Sequence, residues 1–204
     1  MTSDATHGHP ETVRTAEDSV ARRPRRVAPL VAVPIAIILA LLVVLLATGS
    51  SSSDRFEKSP LVGTAAPPIV GTTIAGESFS LDRLRGQWVV VNFFGSWCTP
   101  CIQEHPELVK FAERHRQRGD ASVVTVAFAD SPTNVRQFFE QRGGDWPVLA
   151  RDTNSIAVGY GVIKVPETYL ITPTGSVAGK LVGGITADQL DSVIVKLSTP
   201  SDTR

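Results

Sequence analysis

Cys98 and Cys101 are the only two cysteines among the 204 residues. They stand two residues apart in Trp97-Cys98-Thr99-Pro100-Cys101, so any thiol chemistry falls to this pair. The surrounding stretch 89–107, VVVNFFGSWCTPCIQEHPE, reads as a buried strand that runs into the motif and then into a helix. A thiolate in the first turn of a helix faces unpaired backbone N–H groups and the positive end of the macrodipole. That setting lowers a Cys-x-x-Cys thiol from about 8.5 to between roughly 3.5 and 7.5, which makes a nucleophile available near neutral pH. Cys98 is the expected nucleophile. Cys101, one turn further in and covered by the domain, is the expected resolving thiol that attacks the mixed disulfide. Pro100 is tolerated between them because its missing N–H would be unpaired in the first turn anyway.

Two plainer uses of the pair remain. A structural disulfide closing a loop of about four residues stabilises by only roughly 2 kcal/mol. A zinc site needs two further ligands, and the chain has no second cysteine pair and no His-x-x-x-His element. No metal and no cofactor is called for.

The elements that must hold the thiols can be followed along the chain. Segments 61–68 and 69–79, broken by Gly71 and Gly76, suggest an N-terminal hairpin, and 80–84 a capped helical turn. The run 88–94 is apolar except for Asn92, as expected of a central strand covered on both faces. A helix follows over 99–117, with Leu108, Phe111 and Ala112 on one face and a bend expected at Pro106. Then come a strand over 123–128 and a helix started by Ser131 and Pro132, with Val135, Phe138 and Phe139 inward. A short strand at 146–150 and a short helix at 152–160 lead to a hairpin of 168–172 and 176–182. The last helix, 186–197, carries a Thr186/Gln189 capping box. This order implies an α/β fold, a central mixed sheet with helices on both faces.

Upstream, 1–26 reads as a polar disordered tail that ends in Arg22, Arg23, Arg25 and Arg26. His7 and His9 lie in it without further ligands. Residues 27–47 carry no charge and are long enough to cross a bilayer as one helix. The arginines on one flank place the N-terminus in the cytoplasm and the thiol domain outside it. A cleaved signal peptide is the competing reading of the same segment. Either way the thiols work where disulfides persist. Residues 48–60 are a flexible tether, 61–199 one domain and 200–204 a tail. Twenty basic residues balanced by twenty acidic ones give no argument for nucleic acid as a partner.

Three sets of residues then resemble one family. They are Gly63-Thr64-Ala65-Ala66-Pro67; Asn92-Phe93-Phe94-Gly95-Ser96-Trp97-Cys98-Thr99-Pro100-Cys101 with Glu104 and Pro106; and Tyr160-Gly161-Val162 with Val165-Pro166-Glu167-Thr168-Tyr169-Leu170-Ile171. Together they resemble the thioredoxin superfamily, in its membrane-anchored TlpA, ResA and CcmG (DsbE) branch of thiol-disulfide oxidoreductases. The resemblance implies a thioredoxin-like fold and a cis peptide bond before Pro166, which faces the thiols. It also implies that the backbone of Val165 pairs with a bound substrate strand. A trans proline opening a strand is the plain alternative.

Thioredoxins proper have an acidic residue in the central strand where this chain has Asn92, so the proton of Cys101 must be handled elsewhere. Glu104, three residues on and on the same helix face, matches an acidic active-site position of ResA-like proteins, and its alternative is a solvated surface glutamate. Glu167 is a second candidate at the substrate-binding rim. Trp97 is expected beside the thiols, shaping the docking surface, with core filling as its alternative. His105 and His115 read as surface residues.

The resemblance implies a reductant that keeps the haem-binding cysteines of apocytochrome c reduced and is recharged by a membrane donor of CcdA or DsbD type. A disulfide-forming oxidant of exported proteins is the alternative direction. A thiol peroxidase would want a threonine where Gly95 stands, three residues before Cys98. A copper-delivery module would want three residues between the thiols and a distal histidine.

Overall fold

The computed structural model describes residues 33–42 and 56–198. Two units are distinguished, one within 1–49 and one within 50–204. In the first, the described residues 33–42 (α1) are helical, with Val33, Ile35, Ile38 and Leu42 exposed. Among the described residues no helix is long and apolar enough to cross a membrane. The expected span 27–47 is described only over those ten residues. The rest of it, the tail 1–26, residues 48–55 and the C-terminal tail 200–204 lie outside the described residues.

The second unit is built on a six-stranded sheet in the order β1-β8-β7-β4-β5-β6. Its strands are β1 (Phe56–Glu57), β4 (Trp88–Phe94), β5 (Ala121–Ala127), β6 (Val148–Leu149), β7 (Glu167–Ile171) and β8 (Val177–Val182). A separate hairpin joins β2 (Val70–Thr72) to β3 (Ser78–Ser80). Its helices are α2 (Thr99–Arg116), α3 (Pro132–Arg142), α4 (Asn154–Tyr160) and α5 (Ala187–Ser198). β4 runs parallel to β5 and antiparallel to β7, so the sheet is mixed as expected. Because β4 and β7 are antiparallel, the end of one lies beside the start of the other.

Alternation along β4 divides the core into two layers. Val89, Val91 and Phe93 face α4 and the hairpin, packing with Ile69, Phe79, Ile156 and Tyr160. Val90 faces the other way and packs with Leu108 and Phe111 of α2 and with Leu190 and Ile194 of α5. Phe94 packs with Cys98, Cys101 and the α3 residues Val135, Phe138 and Phe139. Phe111 is wholly buried, which contributes about 2–3 kcal/mol of apolar transfer. α2 continues unbroken through Pro106, which lies on its exposed side.

Three local expectations are corrected. The N-terminal hairpin lies within Val70–Ser80, whereas the stretch before it bonds along β8, with Gly63 N–H donating to Val177 O and Val177 N–H to Thr64 O. The turn Leu81–Leu84 is a 3-10 helix, and the Ser80 side chain makes no capping bond. Sheet structure also reaches back into 48–60, since Phe56 and Glu57 pair with Leu181 and Lys180. Gly179 makes room there, because a Cβ at that position would lie 2.8 Å from the Phe56 ring.

Candidate active site

β4 ends at Phe94, and the chain turns through Gly95, Ser96 and Trp97 into α2. Gly95 is required by what folds back on it, since a Cβ there would sit 2.8 Å from the Trp97 indole. The loop is tied to the segment after β5. Trp97 Nε1–H donates to Ala129 O at 3.1 Å, and Ser96 N–H to Asp130 Oδ2 at 2.6 Å. Asp130 Oδ1 accepts from Ser131 N–H, and Ser131 Oγ caps α3 by accepting from Asn134 N–H. Ala129 has a φ of 48°, the left-handed region that few non-glycine residues adopt. Sequence reasoning did not find Asp130. The Asp-Ser-Pro run before a helix was the available sign of it.

Cys98 and Cys101 form a disulfide. Cys98 is the N-cap of α2 in an extended conformation, and its Sγ accepts from Cys101 N–H at 3.3 Å. The structure therefore aims a first-turn N–H at the sulfur expected to act as nucleophile. Both cysteines are buried, Cys98 at 4% exposure and Cys101 at 1%. Cys98 Sγ also lies 3.6 Å from the carbonyl oxygen of Val165. The Val165–Pro166 peptide bond is cis, as the resemblance implied. Pro166 O accepts from Gly183 N–H at 2.9 Å, which fastens this turn to the end of β8.

Glu104 is buried at 3% exposure, so the surface alternative is overturned. Oε1 accepts from Asn92 Nδ2–H at 2.8 Å, and Oε2 accepts from the backbone N–H of Ile185 at 3.2 Å. Asn92 also donates to Thr168 Oγ1 at 3.2 Å. Glu107, one turn further along α2, accepts from Ala187 N–H at the start of α5. Two carboxylates of α2 thus hold the segment entering α5, where helix N–H groups favour negative charge.

Glu167 stands elsewhere. Its neighbour Thr168 bonds Asn92 on the α2 side, so by strand alternation the Glu167 side chain points to the opposite face. There it is 1% exposed, and Oε2 lies 3.0 Å from Lys180 Nζ, at ion-pair distance though out of hydrogen-bonding alignment. The expectation of a substrate contact or proton transfer by this side chain is corrected, because a buried charge takes the partner on its own face. Trp97 is 58% exposed and is held by Gly95 and Ala129, so it is not core filling.

The two histidines of α2 are not surface residues. His105 and His115 are each 4% exposed. His105 lies edge-on to Phe138 and Phe139, with Nε2 3.0 Å from Gly143 O. Burial, outweighing the backbone hydrogen bonds, holds its pKa below the ordinary histidine value. His115 bridges Asp120 through Nδ1 at 2.6 Å and Asp191 through Nε2 at 2.7 Å. Both follow from the buried stripe of α2, Cys101, Glu104, His105, Leu108, Phe111 and His115, in which polar residues share the apolar face. Among the described residues no group of three or more His, Cys, Asp or Glu side chains is placed to hold a metal ion.

This geometry can carry out thiol-disulfide exchange, and comparison with known proteins agrees. The family model described as AhpC/TSA matches residues 62–180, more than half of the chain. The chain belongs to the AhpC/TSA family. Among curated relatives it is 30% identical over 154 residues to the thiol-disulfide oxidoreductase ResA of Geobacillus kaustophilus, covering 74% of this chain and 88% of that one. It is 30% identical over 141 residues to ResA of Bacillus subtilis, covering 69% and 78%. A thiol:disulfide interchange protein of the thioredoxin family from Chlorobium tepidum superposes with a TM-score of 0.60 at 27% identity, covering 69% of this chain and 99% of that one. This AhpC/TSA member has a thioredoxin-like α/β fold and is a thiol-disulfide oxidoreductase of the ResA type.

Proposed function

We propose that the protein is a membrane-tethered, extracytoplasmic reductant of protein disulfides that serves cytochrome c maturation. The observation that carries the reading is the oxidised pair at the N-cap of α2, with the Cys98 sulfur beside both Cys101 N–H and the Val165 carbonyl that precedes cis-Pro166. In the reduced enzyme the Cys98 thiolate attacks a substrate disulfide, forming a mixed disulfide and releasing one substrate thiolate. Cys101 gives its proton to the Glu104 carboxylate and attacks Cys98 Sγ, which releases the second thiolate. The substrate gains two electrons and the enzyme is left with the Cys98–Cys101 disulfide. A membrane dithiol donor of CcdA or DsbD type then restores the thiols. Val165 offers its backbone to an extended substrate segment, and exposed Trp97 forms part of the docking rim.

Residues 27–47, uncharged and preceded by four arginines, support a single-pass anchor with a cytoplasmic N-terminus. Kinship with ResA proteins supports the reductant direction.

The test has two arms. Equilibration of the full chain with glutathione should give a potential well below about −150 mV, and a value above it would assign the protein to disulfide formation instead. A Cys101→Ser trap in membranes should capture apocytochrome on Cys98. Capture of many unrelated exported proteins would replace the cytochrome role with a general one.

A further inference from the structure

A run of buried polar side chains crosses the sheet behind the thiols: Glu104 on α2, Asn92 on β4 and Thr168 on β7, exposed by 3%, 2% and 1%. We propose that Asn92 is a positioning residue for the resolving half of the reaction, whose amide turns over as Glu104 gains and loses its proton. The proposal rests on Glu104 as the group that takes the proton from Cys101.

The two Glu104 oxygens have unlike partners. Oε2 accepts from the backbone N–H of Ile185, which can only donate and is met better by a carbonyl oxygen than by an O–H. The proposal accordingly puts the arriving proton on Oε1, 2.8 Å from the Asn92 amide nitrogen. While Glu104 is a carboxylate, the amide NH2 donates to Oε1 and to Thr168 Oγ1. Once Oε1 is protonated, that arrangement sets donor against donor in a buried site, which costs about 1–3 kcal/mol for an unsatisfied group. A half-turn of the amide about its last side-chain bond brings Oδ1 to the same place. There Oδ1 accepts both from the Glu104 O–H and from the Thr168 hydroxyl, which can reverse its role.

Neutral asparagine thus suits both protonation states. Aspartate at position 92 would place two carboxylates at hydrogen-bond distance, and such a pair cannot both ionise near neutral pH. Leucine would offer neither a donor nor an acceptor. In the balanced step the proton passes from Cys101 Sγ–H to Oε1. The freed sulfur pair attacks Cys98 Sγ, the bond from Cys98 to the substrate sulfur breaks, and the substrate thiolate departs with that bond's electrons.

The groups around Glu104 include Asn92, which Thr168 engages in turn, the Ile185 N–H and, one turn earlier on its own helix, Cys101. Glu107 is engaged by Lys110 and Ala187, His105 lies against α3, and Glu167 and Lys180 lie on the opposite face of the sheet.

The test is single-turnover reduction of a fluorescein-labelled disulfide peptide by the reduced full-length chain, followed from pH 4.5 to 9. Glu104→Gln should abolish the pH midpoint of the resolving phase. Asn92→Asp should raise that midpoint by about one unit or more, a rate loss that approaches about tenfold at pH values below both midpoints. Thr168→Val should shift it in the same direction by less, and Thr168→Ser should restore it. In the Glu104→Gln background, Thr168→Val should change nothing further. If Glu104→Gln leaves the wild-type profile intact, the proton-handling reading beneath the proposal fails. If Glu104→Gln alters the profile while Asn92→Asp and Thr168→Val superimpose on wild type, the proposal alone fails. An effect of Thr168→Val on the profile that persists without Glu104 also overturns it. Should Asn92→Asp not fold, the Thr168 pair decides.

Discussion

The buried ion pair under cis-Pro166 makes an unusual mutational prediction: a second substitution should repair the damage of the first. Glu167 is 1% exposed and its carboxylate has Lys180 Nζ at 3.0 Å. Lys180 also lies over the Tyr169 ring and has a second acid, Glu57, at 3.9 Å with its side chain 52% exposed. The two partners are therefore not equivalent. Lys180→Met leaves a carboxylate enclosed in the core without its counter-charge, which costs about 3–5 kcal/mol. At roughly 3 °C per kcal/mol for a domain of this size, Tm should fall by about 10–15 °C. Glu167→Gln removes one close ion-pair contact but leaves Lys180 with Glu57 and a route to water, so it should cost less than Lys180→Met. The double variant contains no enclosed lone charge and should be more stable than Lys180→Met alone. Urea unfolding of the oxidised protein, followed by circular dichroism at pH 7, measures all three. A Lys180→Met cost below about 1 kcal/mol, or a double variant weaker than Lys180→Met, would refute the reasoning.

Three further outcomes are expected. Burial holds the His105 pKa below the ordinary histidine value, so the unfolded chain binds a proton first as pH falls. Stability present above about pH 6.5 should therefore decline below it, and His105→Gln should flatten that decline in urea titrations at pH 7.5 and 5.5. Burial pushes the Asp191 carboxyl up, but hydrogen bonds from His115 and Arg114 outweigh it and leave the group below the usual carboxylate range. Its contribution should be complete above about pH 4 and disappear as pH drops through the lowered value. His115→Leu should shrink this acid-side loss in the same titration carried to pH 3. Gly95→Ala would push the Trp97 ring off its seat against the backbone, costing about 1–3 kcal/mol. The mobility of the exposed indole should rise, read as lower fluorescence anisotropy, and an unchanged signal would contradict the contact.

The thiol pair, its helix, the central strand and the order of elements were legible because apolar periodicity and the motif are local signals. The cis bond at Pro166 was reached only through family resemblance, since nothing in the residues beside it requires that isomer. Polar members of the buried stripe of α2 were harder. Glu104 acquires its meaning from Asn92, twelve residues away, and from Ile185, eighty-one residues away. His105 and His115 resemble surface residues until α3 and α5 are seen to cover them. Their helical spacing from Cys101, Leu108 and Phe111 already placed them inward, a sign outweighed by their polarity. Glu167 reads as a candidate beside the thiols from sequence alone, because adjacency to a functional proline says nothing about which way a strand residue points.

The two halves of the site meet across the antiparallel ladder of β4 and β7, which brings Val165 to a sulfur 67 positions earlier in the chain. A nascent or unravelled molecule carries both sulfurs but lacks the surface that presents a client to them. Competence is thereby made a property of the completed fold, a safeguard for an enzyme whose own chemistry could otherwise cross-link it to every unfinished neighbour.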